Sequence, residues 1–134
     1  MDAVGGSRRA DVELRLPADS AYASVLRTTT AGLAARLDFT IDDIEDLRIA
    51  ASEASALMLD QADPGADLLC CFFLDPGRLA LRLTVQAAAA APPDQDGFAW
   101  QVLSTLASEV DSEVGDGRLT IALAMQPEPV TDGG

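Results

Sequence analysis

The chain has 134 residues, 22 acidic and 9 basic, and a net charge of −13; that length makes one domain able to bury roughly two-thirds of its unfolded surface. The charge argues against nucleic acid and anionic membrane as direct partners, and suits a basic protein partner or a plain solvated surface. All nine basic residues are Arg and there is no His, Lys or Asn, which excludes Ser-His and Cys-His pairs, imidazole metal ligands, Schiff-base or phosphate-loop lysines and a magnesium-binding Asn amide.

Residues 1–11 hold Gly-Gly and Arg-Arg but no apolar core, so they read as a flexible segment and not as a signal peptide. No stretch approaches the ~20 apolar residues of a membrane span, and a soluble, cytoplasmic protein is expected. Val12, Leu14 and Leu16 alternate with Glu13 and Arg15, a half-buried strand that Pro17 ends. Asp19 or Ser20 caps a helix whose Tyr22, Val25 or Leu26, Thr29, Leu33 and Leu37 are expected to face inward.

A longer helix runs from Thr40 to Ala62. Thr40 can cap it, and the acidic first turn complements the positive end of its dipole. Ile41, Ile44, Leu47, Ala51, Ala54 and Met58 recur at three- and four-residue steps, which predicts one buried face. Glu53 lies beside that stripe, where a carboxylate is costly without a partner or a task. Either it pairs with a backbone amide or an Arg such as Arg48 or Arg82, or it acts chemically.

Asp63-Pro64-Gly65 breaks the chain. Leu68 to Leu74 is continuously apolar and reads as a central strand, with Cys70 and Cys71 on opposite faces and therefore unbridged. Asp75-Pro76-Gly77 then turns into the alternating strand Leu79 to Val85, a hairpin. Residues 87–93, Ala-rich and ended by Pro92-Pro93, read as loop. A third helix opens at Asp96 or Gly97, with Phe98, Val102, Leu103, Leu106 and Val110 as its apolar side and Trp100 in the core. Gly115-Asp116-Gly117 is a tight turn into a last strand through Met125, and 126–134 form a flexible tail. The order β-α-α-β-β-α-β, with room for one more strand, implies an α+β fold. It is a two-layer α/β sandwich in which helices cover one face of a mixed, mostly antiparallel sheet over residues 12–125.

The segments Leu33-Ala-Ala-Arg-Leu-Asp-Phe-Thr40 and Asp43-Ile-Glu-Asp-Leu-Arg-Ile-Ala-Ala-Ser-Glu-Ala54 resemble the anti-sigma factor/serine kinase family of bacterial partner-switching systems (RsbW-like). That family lies within the histidine-kinase-type ATPases, and the resemblance implies the same sandwich. It also implies a site for magnesium-ATP built from three places. On the long helix the family's Glu is general base and an Asn three residues beyond its Ser-Glu-Ala holds the metal. Here Glu53 matches as a remnant base, but Leu57 stands for the Asn and Gln61 for a following His. After the hairpin the family's adenine-reading Asp-x-Gly becomes Val85-Gln86-Ala87. In the glycine-rich lid only Gly97 of Asp96-Gly97-Phe98 suits phosphate.

The expectation is therefore a binder without a cofactor, magnesium-ATP being its ligand only if the nucleotide site still functions. The resemblance implies a homodimer that sequesters a sigma factor and is released by an anti-anti-sigma factor. Arg27 aligns with the family's partner-facing Arg, and Arg36, Asp38, Asp42, Asp43 and Asp46 extend that candidate surface. The alternatives are an active serine kinase acting on the anti-anti-sigma protein and a non-sigma scaffold on the same fold.

Overall fold

In the computed structural model, which describes residues 8–127, the alternation near the start of the chain becomes strand β1 (Val12–Pro17) and the apolar run becomes β2 (Asp67–Asp75). The others are β3 (Arg78–Gln86), β4 (Glu109–Gly115) and β5 (Arg118–Met125). They form one sheet in the order β1-β2-β3-β5-β4. Every pairing is antiparallel, so the sheet is not the mixed one expected. Asp116 and Gly117 both take positive φ, 56° and 71°, as a two-residue turn needs if it is to match the twist of β4 and β5.

Three helices cover one face: α1 (Ala23–Arg36), α2 (Ile41–Gln61) and α3 (Phe98–Leu106). Asp19 caps a short 3-10 turn, Ser20–Tyr22, ahead of α1. Leu26, Leu47, Met58 and Leu103 meet Phe72, Leu81, Leu83, Ile121 and Leu123 in the main core. Ala50, Ala51 and Ala54 are fully buried, and their small side chains let α2 lie close between α1, α3 and the sheet. Buried Thr30 and Ser55 donate to the carbonyls of Leu26 (2.8 Å) and Ser52 (2.9 Å), so neither hydroxyl costs an unmet hydrogen bond.

Several residues depart from the expected faces, and of Val25 and Leu26 it is Leu26 that is buried. Tyr22 is exposed, and Thr30 rather than Thr29 is buried. Ile41 is 85% exposed because, as the first residue of α2, it projects past the packed face. Val110 lies in β4, not in the third helix. The helix stops at Leu106, and Ser108 N–H already bonds Ala124 O (2.8 Å) to open the strand pairing.

The outer face of the sheet carries a second apolar cluster of Cys71, Phe73, Ala80, Ala122 and Ala124. Arg8 and Arg82 hold their guanidinium groups 6.0 and 5.1 Å from the Phe73 ring centre. Asp11 fastens residues 8–11 across this face. Its N–H donates to Phe72 O (2.9 Å), its carboxylate accepts from Leu74 N–H (2.7 Å), and Arg8 bonds both Asp11 and Asp75. The rest of the two expected flexible segments, apart from Gln126 and Pro127, lies outside the described residues.

Cys70 points into the main core and Cys71 to the outer cluster, both unbridged. Burial pushes the Cys70 thiol up to about 12; burial also raises Cys71, partly offset by Arg82. Thiolate is the reactive form. Iodoacetamide at mildly alkaline pH is therefore expected to alkylate native protein about a hundredfold more slowly than urea-unfolded protein. Equal rates, read by mass spectrometry, would contradict this packing.

Candidate functional site

Four-residue steps place Glu53, Leu57 and Gln61 along one stripe of α2. Glu53 is half-buried and bonds neither Arg proposed from the sequence. Arg48 pairs with Glu45 (2.9 Å) on the exposed side of the helix, and Arg82 stacks over Phe73 beyond the sheet. Among the described residues Glu53 makes no hydrogen bond or ion pair. Leu57 packs against the main core, so the middle of the stripe offers a hydrocarbon where a magnesium ion would need oxygen.

Gln61 closes the end of the stripe. Its amide donates to Ala91 O (2.9 Å) and accepts from Ala91 N–H (2.7 Å). Two residues on, both carboxylate oxygens of Asp63 accept from Ala88 N–H (3.0 and 3.1 Å). Ala87 N–H bonds Gly117 O (2.8 Å), and Asp63 N–H bonds Gln86 O (2.9 Å). These bonds tie residues 86–91 over the end of α2 as a strap. Ala87 and Trp100 are buried in the main core, with Ala90 against it. Trp100 thus serves packing, as expected.

The segment that the resemblance places at phosphate is built as a close turn. Gly97 is the N-cap of α3, with φ −75°, and its own N–H donates to Asp94 O (3.0 Å). A Cβ at Gly97 would meet that same oxygen at 3.1 Å, so the glycine serves a close backbone turn. Asp94 and Asp96 already occupy this helix start, Asp94 Oδ1 accepting from Asp96 N–H (3.0 Å). Two carboxylates at the positive end of a helix repel a phosphate. At the positions the resemblance assigns to magnesium-ATP, the ligand would meet Leu57 in place of an oxygen donor, Gln61 engaged in the strap, and acidic residues at the start of α3.

The proposed partner residues separate into two groups. Arg27 sits half-buried on α1 and makes no hydrogen bond or ion pair with another described residue. Arg36, Asp38, Asp42, Asp43 and Asp46 surround the α1–α2 turn, and Arg36 begins about 13 Å from Arg27 along the helix axis. Several have local duties there. Arg36 lies in the last turn of α1, where its charge complements the dipole. Asp38 adopts φ 62°, and the bonds from Asp38 N–H to Ala35 O and from Phe39 N–H to Ala34 O end the helix in a Schellman motif. Asp43 N–H donates to the Thr40 hydroxyl (3.1 Å), which donates to the Asp43 carboxylate (2.9 Å). Asp42 is exposed and Asp46 half-buried.

No family model matches the chain. Over 88 residues it is 38% identical to the serine-protein kinase RsbW of Halalkalibacterium halodurans, which takes in 65% of this chain and 52% of that protein. Over 43 residues it is 49% identical to the serine-protein kinase RsbW of Bacillus velezensis, 32% of this chain and 27% of that protein. The matched stretch thus spans about half or less of these relatives' length. The fold superimposes on the crystal structure of the RsbU and RsbW domains of a Mycobacterium tuberculosis protein with a TM-score of 0.65, at 16% identity, over 86% of this chain and 31% of that one. It superimposes on a chain of the SiaB–SiaC complex from Pseudomonas aeruginosa with a TM-score of 0.60, at 11% identity, over 90% and 92%. At such identities the structures speak to the fold alone.

Proposed function

We propose that this chain, a relative of the RsbW serine-protein kinases, acts as a cytoplasmic anti-sigma factor by binding and not by transferring phosphate. One observation carries the reading: Leu57 and the Gln61–Ala91 pair stand where a working site would hold metal and nucleotide. Capture of a sigma factor needs only a surface, and such a surface can outlast the loss of the catalytic site. Arg27 is the contact of choice, because a half-buried guanidinium with no partner among the described residues suits a partner carboxylate. An anti-anti-sigma protein competing for that surface would release the sigma factor, and a homodimer is the assembly the resemblance suggests.

The test is calorimetry in two arms. Titration with magnesium-ATP is expected to give no binding heat, while a cognate sigma factor binds saturably. Arg27→Glu is expected to weaken sigma binding about tenfold or more, the loss of a charge-assisted bond, and to leave the melting curve within about 0.5 kcal/mol of wild type. Unchanged affinity with a native melt removes Arg27 from the interface. The second reading, an active kinase, is favoured by Glu53, whose half-buried carboxylate has no described partner and is free to act as a base. Phosphate transfer to a serine of the anti-anti-sigma protein, abolished by Glu53→Ala, would establish that reading instead.

A further inference from the structure

Among the described residues α3 is the only α-helix without a charged residue, Phe98-Ala-Trp-Gln-Val-Leu-Ser-Thr-Leu106, in a chain that carries −13. Its inner side is accounted for by Trp100 and Leu103 in the main core. Its outer side, apart from Leu106, which packs against the main core, is not. Phe98 is 79% exposed, and four-residue steps align it with Val102 and Leu106, both partly exposed. With Gln101 and Thr105 these residues form an open, nearly flat patch on the helix.

The two polar residues there each donate to a nearby backbone carbonyl. Gln101 Nε2 donates to Gln95 O (2.6 Å), and the Thr105 hydroxyl to Gln101 O (2.8 Å). What remains for a visitor is largely apolar, in the i, i+4, i+8 pattern by which helices pack on one another. The flank at the start of the helix is acidic, with Asp94 and Asp96, while Glu109 just past its end is paired with Arg78 (3.0 Å).

We propose that the outer face of α3 is a docking surface for an amphipathic helix of a partner protein, apolar along one side and flanked by Arg or Lys. Charge selects this occupant. A second copy of the chain would bring another −13 to an acidic flank, whereas a basic helix meets both the stripe and that flank. The surface is separate from Arg27 on α1 and does not rest on the anti-sigma reading.

The probe is a model amphipathic helix of about five turns made of Leu and Arg, with a scrambled peptide of the same composition and a Leu/Glu counterpart as controls. Binding to the full chain is followed at physiological ionic strength by fluorescence anisotropy and amide chemical shifts. The Leu/Arg helix is expected to bind saturably, to shift amides of residues 98–106, and to bind about tenfold more tightly than either control. Phe98→Ser and Val102→Ser are each expected to weaken it about tenfold, and Asp94→Asn with Asp96→Asn about threefold. Phe98→Ser changes an exposed side chain, so its melt should match wild type. The proposal is overturned by absence of saturable binding, by equal affinity for the scrambled peptide, by indifference to Phe98→Ser, or by shifts centred elsewhere. Concentration-dependent self-association lost in Phe98→Ser would assign the face to a second copy instead.

Discussion

Phe72→Ala is expected to lower the unfolding free energy by about 3–5 kcal/mol. Phe72 is fully buried on the inner face of β2, between Val12 of β1 and Leu81 of β3 and beneath the helices. Truncation removes the transfer energy of the ring and leaves a void that neighbours on three elements cannot all collapse into. A domain of this size has about 5–15 kcal/mol in total, so the variant should sit near the edge of folding at body temperature. Phe98→Ala supplies the contrast: an exposed ring should change stability by less than about 0.5 kcal/mol. Urea denaturation of both variants reads the difference. A loss below about 1 kcal/mol for Phe72→Ala would mean that the core is not centred on β2.

Opening the strap is expected to have the largest local effect. The double change Gln61→Ala and Asp63→Ala removes the side-chain bonds that fasten Ala88 and Ala91 to the end of α2. Each such bond is worth about 0.5–1.5 kcal/mol net, and Ala88, Ala89 and Ala91 are exposed, so little packing would replace them. Hydrogen exchange at residues 88–96 should accelerate about tenfold or more, while β3 and β5 keep their protection. Unchanged exchange would show that buried Ala87 and Pro93 hold the segment without help from the side chains.

The sequence makes the fold readable wherever one rule governs a segment. Thr40 caps α2 as expected, the alternations give β1, β3 and β5, and the Pro-Gly and Asp-Gly turns bend the chain where they stand. It misleads where two periods meet. Val110 continues the helical spacing of Phe98, Val102 and Leu106, yet it also alternates with Glu109 and Asp111, and pairing with β5 decides for the strand. Ile41 fits the helical stripe, but position on a stripe does not tell where the neighbouring elements end.

The candidate site was legible only as a set of substitutions. Leu57 and Gln61 stand out against the pattern the chain resembles, and the structure gives them tasks in packing and in the strap. Asp63 was invisible, because a residue of Asp-Pro-Gly reads as a turn whether or not its carboxylate reaches Ala88 across the fold. Its signal would have been the Ala-rich run itself, which has no side chains able to fasten it and so must be fastened from elsewhere. Glu53 was expected either to pair with a backbone amide or an Arg or to act chemically, and it has no partner among the described residues. Local pattern does not report which distant Arg is near.

The register of the sheet also sets a timetable for synthesis. Val12 pairs with Phe72, so β1 leaves the ribosome well before the strand it must join. At about 5–20 residues per second that wait lasts several seconds, during which β1 has a free edge on both sides. The helices α1 and α2 are made in the interval and can form from local contacts alone. The nascent chain should therefore first be a helical hairpin trailing an unpaired strand. Whatever shields the apolar side of Val12, Leu14 and Leu16 in those seconds governs how much of the protein reaches the folded state.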